Sequence, residues 1–168
     1  MSTELYNEVE LNGKPYEPGR WKEYAVHDDT RIAGFFGQYR FLSNFEPCQV
    51  YFEGIMFPSA ENAYQAAKTL DRDKRFIFVS ATPSQAKKLG NNLELRPNWE
   101  SNKYFIMRDI VRHKFDSNYS LFSDLMATKG KALIEKNHWN DTFWGQNLDN
   151  KGDNNLGKIL RIYRDQRL

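Results

Sequence analysis

Cysteine is nearly absent from this chain: of 168 residues only Cys48 carries a thiol. A disulfide within the chain is thereby excluded, and a thiolate metal cluster with it. Cys48 follows Pro47 beside a β-like run and reads as a small buried apolar residue rather than a nucleophile. Histidine is scarce too. His27, His113 and His138 fall at no ligand spacing, so no metal and no cofactor is expected. Glycine-rich phosphate loops and the nucleophile elbow are missing. No apolar run is long enough to span a bilayer, and the N-terminus has no signal-like apolar stretch. The expectation is a cytoplasmic protein with no membrane partner, or one of the host cytosol if the gene is viral.

Charge of one sign is also lacking, since 24 Lys+Arg face 22 Asp+Glu for a net of +2. That balance argues against strong non-specific affinity for DNA. Its distribution is uneven. Residues 1–60 carry 5 basic and 9 acidic side chains, residues 61–115 carry 11 and 6, and the rest carry 8 and 7. The middle third is therefore an anion-facing surface or a set of solvated helix faces.

What the chain does have is aromatic residues, 15% of the total. The length fits one domain. Residues 1–30 are polar and turn-rich, an N-terminal extension that reads as irregular structure with one short strand. Arg31–Gly37 and Gln49–Phe57 are β-like, the second broken by Glu53-Gly54 as a two-residue hairpin turn. Ser59 reads as an N-cap, followed by Ala60, Ala63, Tyr64 and Ala67 at helical spacing. Thr82-Pro83-Ser84-Gln85 reads as a capping box, with Gly90 as the stop. Further helices are expected over Trp99–Phe115, Ser120–Ala127 and from Asn155, with Ile159, Leu160 and Tyr163 inward. The fold class is α+β, mainly α-helical, with a small antiparallel sheet.

Four segments could carry chemistry. The stretch 35–45 interleaves Phe36 and other aromatics with Arg40, Ser43 and Asn44, groups able to stack on a base and bind phosphate or ribose. On residue chemistry alone a core-filling loop, with Ser43-Asn44 as a turn, is the favoured reading. Glu61, Gln65, Lys68 and Arg72 are spaced to share one stripe of the helix after Ser59, with Glu61 favoured by the helix dipole. A solvated Glu–Lys stripe is the plain alternative. Asp141-Thr142-Phe143-Trp144-Gly145 combines a carboxylate, aromatics and a glycine, as a pocket-shaping loop would; a turn around a buried Trp would do so too. Asp153-Asn154-Asn155 opens a helix whose free N–H groups would seat a phosphate, or is an ordinary cap.

Taken in order, these stretches resemble the NADAR superfamily of YbiA-like N-glycosidases. The resemblance rests on Phe41-Leu42-Ser43-Asn44-Phe45, Phe57 to Lys68, Ser84 to Gly90, Trp99, Lys103 and Met107, Lys114-Phe115, Asp141-x-x-Trp144-Gly145, and Asn155-Leu156-Gly157. It covers residues 33–167, within a domain bounded at 31–168. The position after Glu61 is Asn62, where the family usually has His. The resemblance implies a compact single domain that hydrolyses a ribose C1′–N bond. Two substrate classes follow: a phosphoribosylamino-pyrimidine intermediate of riboflavin synthesis, or ADP-ribose on guanine, including guanine in nucleic acid. It casts Glu61 and Asp141 as catalytic carboxylates, their roles undivided. Trp99 and Trp144 would stack; Lys68, Lys103, Arg40, Ser43, Asn44 and Asn155 would hold phosphate and sugar, beside Phe36 and Gly145. A non-catalytic ADP-ribose or NAD-binding module would use the same aromatics and cations without Glu61.

Overall fold

The computed structural model describes residues 10–11, 14–15 and 23–168. Most of the N-terminal extension lies outside the described residues; the part described holds three two-residue strands where one was expected, each made by pairing with a neighbouring strand. In chain order the strands are β1 (Glu10–Leu11), β2 (Lys14–Pro15), β3 (Val26–His27), β4 (Arg31–Ala33), β5 (Val50–Phe52), β6 (Ile55–Phe57) and β7 (Ala132–Ile134). The helices are α1 (Ala60–Ala66), α2 (Arg72–Phe76), α3 (Pro83–Gly90), α4 (Trp99–Asp116), α5 (Tyr119–Met126) and α6 (Asn155–Asp165). The α+β class, rich in helix, is as the sequence implies. Among the described residues, no helix is long and apolar enough to cross a membrane.

The chain divides into two units, Arg40–Ala127 and Met1–Tyr39 with Thr128–Leu168. In the first, β5 and β6 pair antiparallel, with Val50 opposite Phe57. Glu53 and Gly54 both take positive φ, 44° and 82°, the conformation that a two-residue hairpin of this twist needs. Alternation then buries Val50, Phe52, Ile55 and Phe57. The hairpin packs on α4, whose Met107, Ile110, Val111 and Phe115 are buried. All seven residues of α1 are buried, and its alanines let α3 approach closely.

In the second unit, β3, β4 and β7 form one sheet. β3 runs antiparallel to β4, but β7 runs parallel to it, so the sheet is mixed rather than wholly antiparallel. Ile32 and Leu133 lie buried, and α6 packs against β7. There Gly157 is required: a Cβ would stand 2.1 Å from the Leu133 carbonyl oxygen. Arg164, 2% exposed, ties α6 to the segment before β7 by donating from Nη1 to the carbonyls of Thr128 and Lys131, both at 2.8 Å.

Two sequence expectations change. Helix α1 ends at Ala66, so Lys68 and Arg72 do not continue a helical stripe with Glu61. Asp71 starts a new helix by accepting from the N–H groups of Asp73 and Lys74, and the chain turns between the two. Helix α3 does end at Gly90 as expected, but Gly90 is itself helical, and what requires glycine there is close approach, as described next.

Candidate active site

Glu61 is held at the start of α1, in the unit Arg40–Ala127. Ser59 caps that helix by accepting from the Asn62 N–H, and the Glu61 N–H donates to the Asn44 carbonyl at 2.9 Å. The Glu61 side chain is 8% exposed, so it is no solvated stripe residue. Gln65 Nε2 donates to Glu61 Oε1 at 2.7 Å. The amide reaches it because position 90 is glycine: a Cβ there would stand 1.9 Å from Gln65 Oε1. Helix α3 thus holds Gln65, and Gln65 holds the carboxylate.

Lys68 lies within electrostatic reach of this acid. Lys68 is half-buried, with its Nζ 5.9 Å from the Tyr64 ring centroid. Burial above all, then the like charges of Lys87 and Lys103, hold its pKa below the ordinary lysine value; Glu61 and Glu100 pull the other way. Lys68 thus feels all four of these side chains. Lys103 Nζ pairs with Glu100 Oε2 at 2.6 Å. Sequence reading had missed Lys87, because no helical stripe of α3 links it to Glu61. Trp99 is 5% exposed and packs on Tyr64 at 5.3 Å, so it backs the site as a wall with little face open to a ligand.

The segment bearing Arg40, Ser43 and Asn44 is pinned from below. Lys114, 1% exposed, donates from Nζ to the carbonyls of Phe41 and Ser43 at 2.7 and 2.8 Å. Ser43 Oγ accepts from the Phe45 N–H, and Asn44 Nδ2 contacts Met107 Sδ at 3.5 Å. Arg40 is exposed. Asn62, the departure from the family pattern, turns inward. Its amide nitrogen donates to the carbonyls of Phe78 and Ala81, and its oxygen accepts from Ser59 Oγ at 2.6 Å. It latches α1 to the following turn and its polar atoms are occupied there.

The other unit holds Phe36, Asp141, Trp144, Gly145 and Asn155. Asp141 Oδ1 accepts from the N–H groups of Phe143 and Trp144 at 3.1 and 2.9 Å, forming a turn. Asn137 brackets Asp141 by bonding both its N–H and its carbonyl. Trp144 is half-buried and edge-on to Phe143 at 4.7 Å. Gly145 serves its own loop, since a Cβ would meet the Glu135 carbonyl oxygen at 2.0 Å. Phe36 is half-buried and tilted against His27 at 5.1 Å.

The phosphate seat expected at Asn155 is not present. The N–H groups of Asn154, Asn155 and Leu156 donate to the carbonyls of Gly145, Phe143 and Trp144. The Asp141 loop folds its own carbonyls onto the start of α6 and occupies the donors a phosphate would have needed. Among the described residues, no group of three or more His, Cys, Asp and Glu could hold a metal.

The N-glycosidase YbiA of Shigella boydii is 37% identical over 146 residues, covering 85% of each chain. A riboflavin biosynthesis protein of Vibrio vulnificus is 37% identical over 129 residues, and this chain spans only 35% of its length. The NMR structure of the Escherichia coli protein YbiA superposes with a TM-score of 0.72 at 34% identity, covering 85% of this chain and 88% of that one. The NADAR domain family matches residues 26–167, and the chain belongs to that family.

Proposed function

We propose that this chain hydrolyses the C1′–N bond of a phosphorylated riboside, with Glu61 as the carboxylate of the reaction. The chain is a hydrolase of the N-glycosyl bond, a role supported by relatives named N-glycosidase at 37% and 33% identity. The observation that carries the finer reading is the buried Glu61 carboxylate, fixed by Gln65 and within the field of Lys68, on which Lys87 and Lys103 also act.

Breaking C1′–N builds positive charge on the ribose ring. A carboxylate fixed beside C1′ stabilises that charge or takes a proton from the attacking water. Its burial excludes bulk water and strengthens the interaction. The lysines supply counter-charge for phosphate, which places the phosphorylated end of the riboside towards them. In the other unit, Asp141 builds the loop that carries Trp144.

Two substrates satisfy this chemistry: a phosphoribosylamino-pyrimidine and ADP-ribose on guanine, the second also within nucleic acid. Incubating the protein with each, and identifying released base by mass spectrometry, tests the reading. Release from one at an enzyme-dependent rate is expected. Tight binding of ADP-ribose with no release from either would make the chain a binding module instead.

A further inference from the structure

The sheet of the unit Met1–Tyr39 with Thr128–Leu168 has a second face that the proposed reaction does not use. Register aligns Val26, Ala33 and Ile134 in one row across β3, β4 and β7. Strand alternation then puts Arg31, two residues before Ala33, on that same face, and Lys136, just beyond the end of β7, lines the same cavity. A cavity of about 300 Å³ lies over this row, lined by Tyr24, Arg31, Lys136, Gln146 and Asn150 around the apolar floor. That volume is at the small end of ligand pockets.

Its charge is one-sided. Lys136 is 6% exposed, and its Nζ donates to the amide oxygen of Asn150. A buried ammonium normally faces a carboxylate. Here, among the described residues, the bonded partner is a neutral amide. The Arg31 guanidinium acts on Lys136 as a like charge, opposed by Asp149. Asp28 is the acidic neighbour of Arg31, and its Oδ1 is engaged by the N–H groups of Thr30 and Arg31 and by the Thr30 hydroxyl. Burial, then Arg31, holds the Lys136 pKa below the ordinary value against the pull of Asp149.

We propose that this cavity is a second ligand site, which takes a small phosphate ester between Lys136 and Arg31. The dianion relieves the repulsion between the two cations. Tyr24, Gln146 and Asn150 hold hydroxyls of the ester, and the Val26–Ala33–Ile134 floor takes its carbon skeleton. The site is built from no residue of the Glu61 group.

The test is a titration of the full chain with ribose 5-phosphate, followed by residue-resolved amide NMR, for wild type, Lys136→Met, Arg31→Gln and Glu61→Gln. Saturable shifts are expected at residues 31–33 and 134–136 in wild type and in Glu61→Gln. The affinity read there should fall at least about tenfold in Lys136→Met and in Arg31→Gln, consistent with loss of a charge-assisted bond. Both variants should keep the wild-type spectrum elsewhere. Shifts confined to the neighbourhood of Lys68 and Lys103, or shifts at 134–136 that survive both substitutions, would overturn the proposal. If Lys136→Met fails to fold, Arg31→Gln, at an exposed position, decides alone.

Discussion

Asp141 has two carboxylate oxygens, and the fold uses one. Oδ1 caps the turn through Phe143 and Trp144, which in turn presents carbonyls to α6. Asp141→Asn keeps an acceptor at that position and should leave the melting temperature near wild type, with turnover reduced by no more than about tenfold. Asp141→Ala removes the acceptor and should cost about 0.5–2 kcal/mol, the range for loss of a capping side chain. Thermal melts and initial rates on both variants check this. A turnover loss in Asp141→Asn as large as that of Glu61→Gln would make Asp141 a second acid of the reaction. The turn itself was legible, since Asp before an aromatic-Gly run is a turn former. That its carbonyls would fill the start of α6 was not. Such a bond joins segments whose approach no local pattern encodes.

At the scale of elements, the hairpin and the capping box were readable because their determinants are local. Glu53-Gly54 needs two left-handed residues in a row, and Thr82 with Gln85 satisfies both ends of one helical turn. Helix α2 and strand β7 were not readable. Five residues of Arg72–Phe76 and three of Ala132–Ile134 are too short to show a period, and β7 exists because β4 offers it an edge. The meeting of α1 and α3 was equally hidden, although it sets the site. It gives a sharp prediction for Gly90→Ala. The new Cβ stands 1.9 Å from Gln65 Oε1, so the Gln65 side chain must leave and Glu61 loses its donor. Overpacking costs about 1–3 kcal/mol, partly offset by the better helix propensity of Ala. Turnover should fall about tenfold or more while the fold persists. Adding Gln65→Ala should recover much of the stability lost in Gly90→Ala, because the two side chains compete for one space. Strictly additive melting shifts would remove the clash from the explanation.

For the whole molecule, the buried Lys114 should be visible in the pH dependence of stability. Burial, opposed by Cys48 and Glu46, brings its pKa from the ordinary 10.5 down to about 8. Between those values the unfolded chain holds the proton and the folded chain does not, so stability rises with pH across that window. Below about 8 the cost of burying the charge is present in full. The bonds survive deprotonation, since a neutral amine keeps two N–H groups for the Phe41 and Ser43 carbonyls. The contribution is about 3 kcal/mol in all. Urea unfolding between pH 7 and 10.5 should show a rising component in wild type that Lys114→Met lacks. Parallel curves for the two proteins would contradict it. From sequence, Lys114 in an amphipathic helix gave no sign of burial; only the family pattern singled it out.

The central claim is that Glu61 performs chemistry and does not merely bind. The near-isosteric Glu61→Gln removes the charge and leaves the shape, and its amide can still accept from Gln65. Single-turnover release of base should therefore be measured for wild type and Glu61→Gln on whichever riboside is cleaved, with ligand affinity taken from the same samples. A rate loss on the order of a hundredfold or more, at an affinity within a few-fold of wild type, is predicted. Near-wild-type release in a folded Glu61→Gln protein would contradict it.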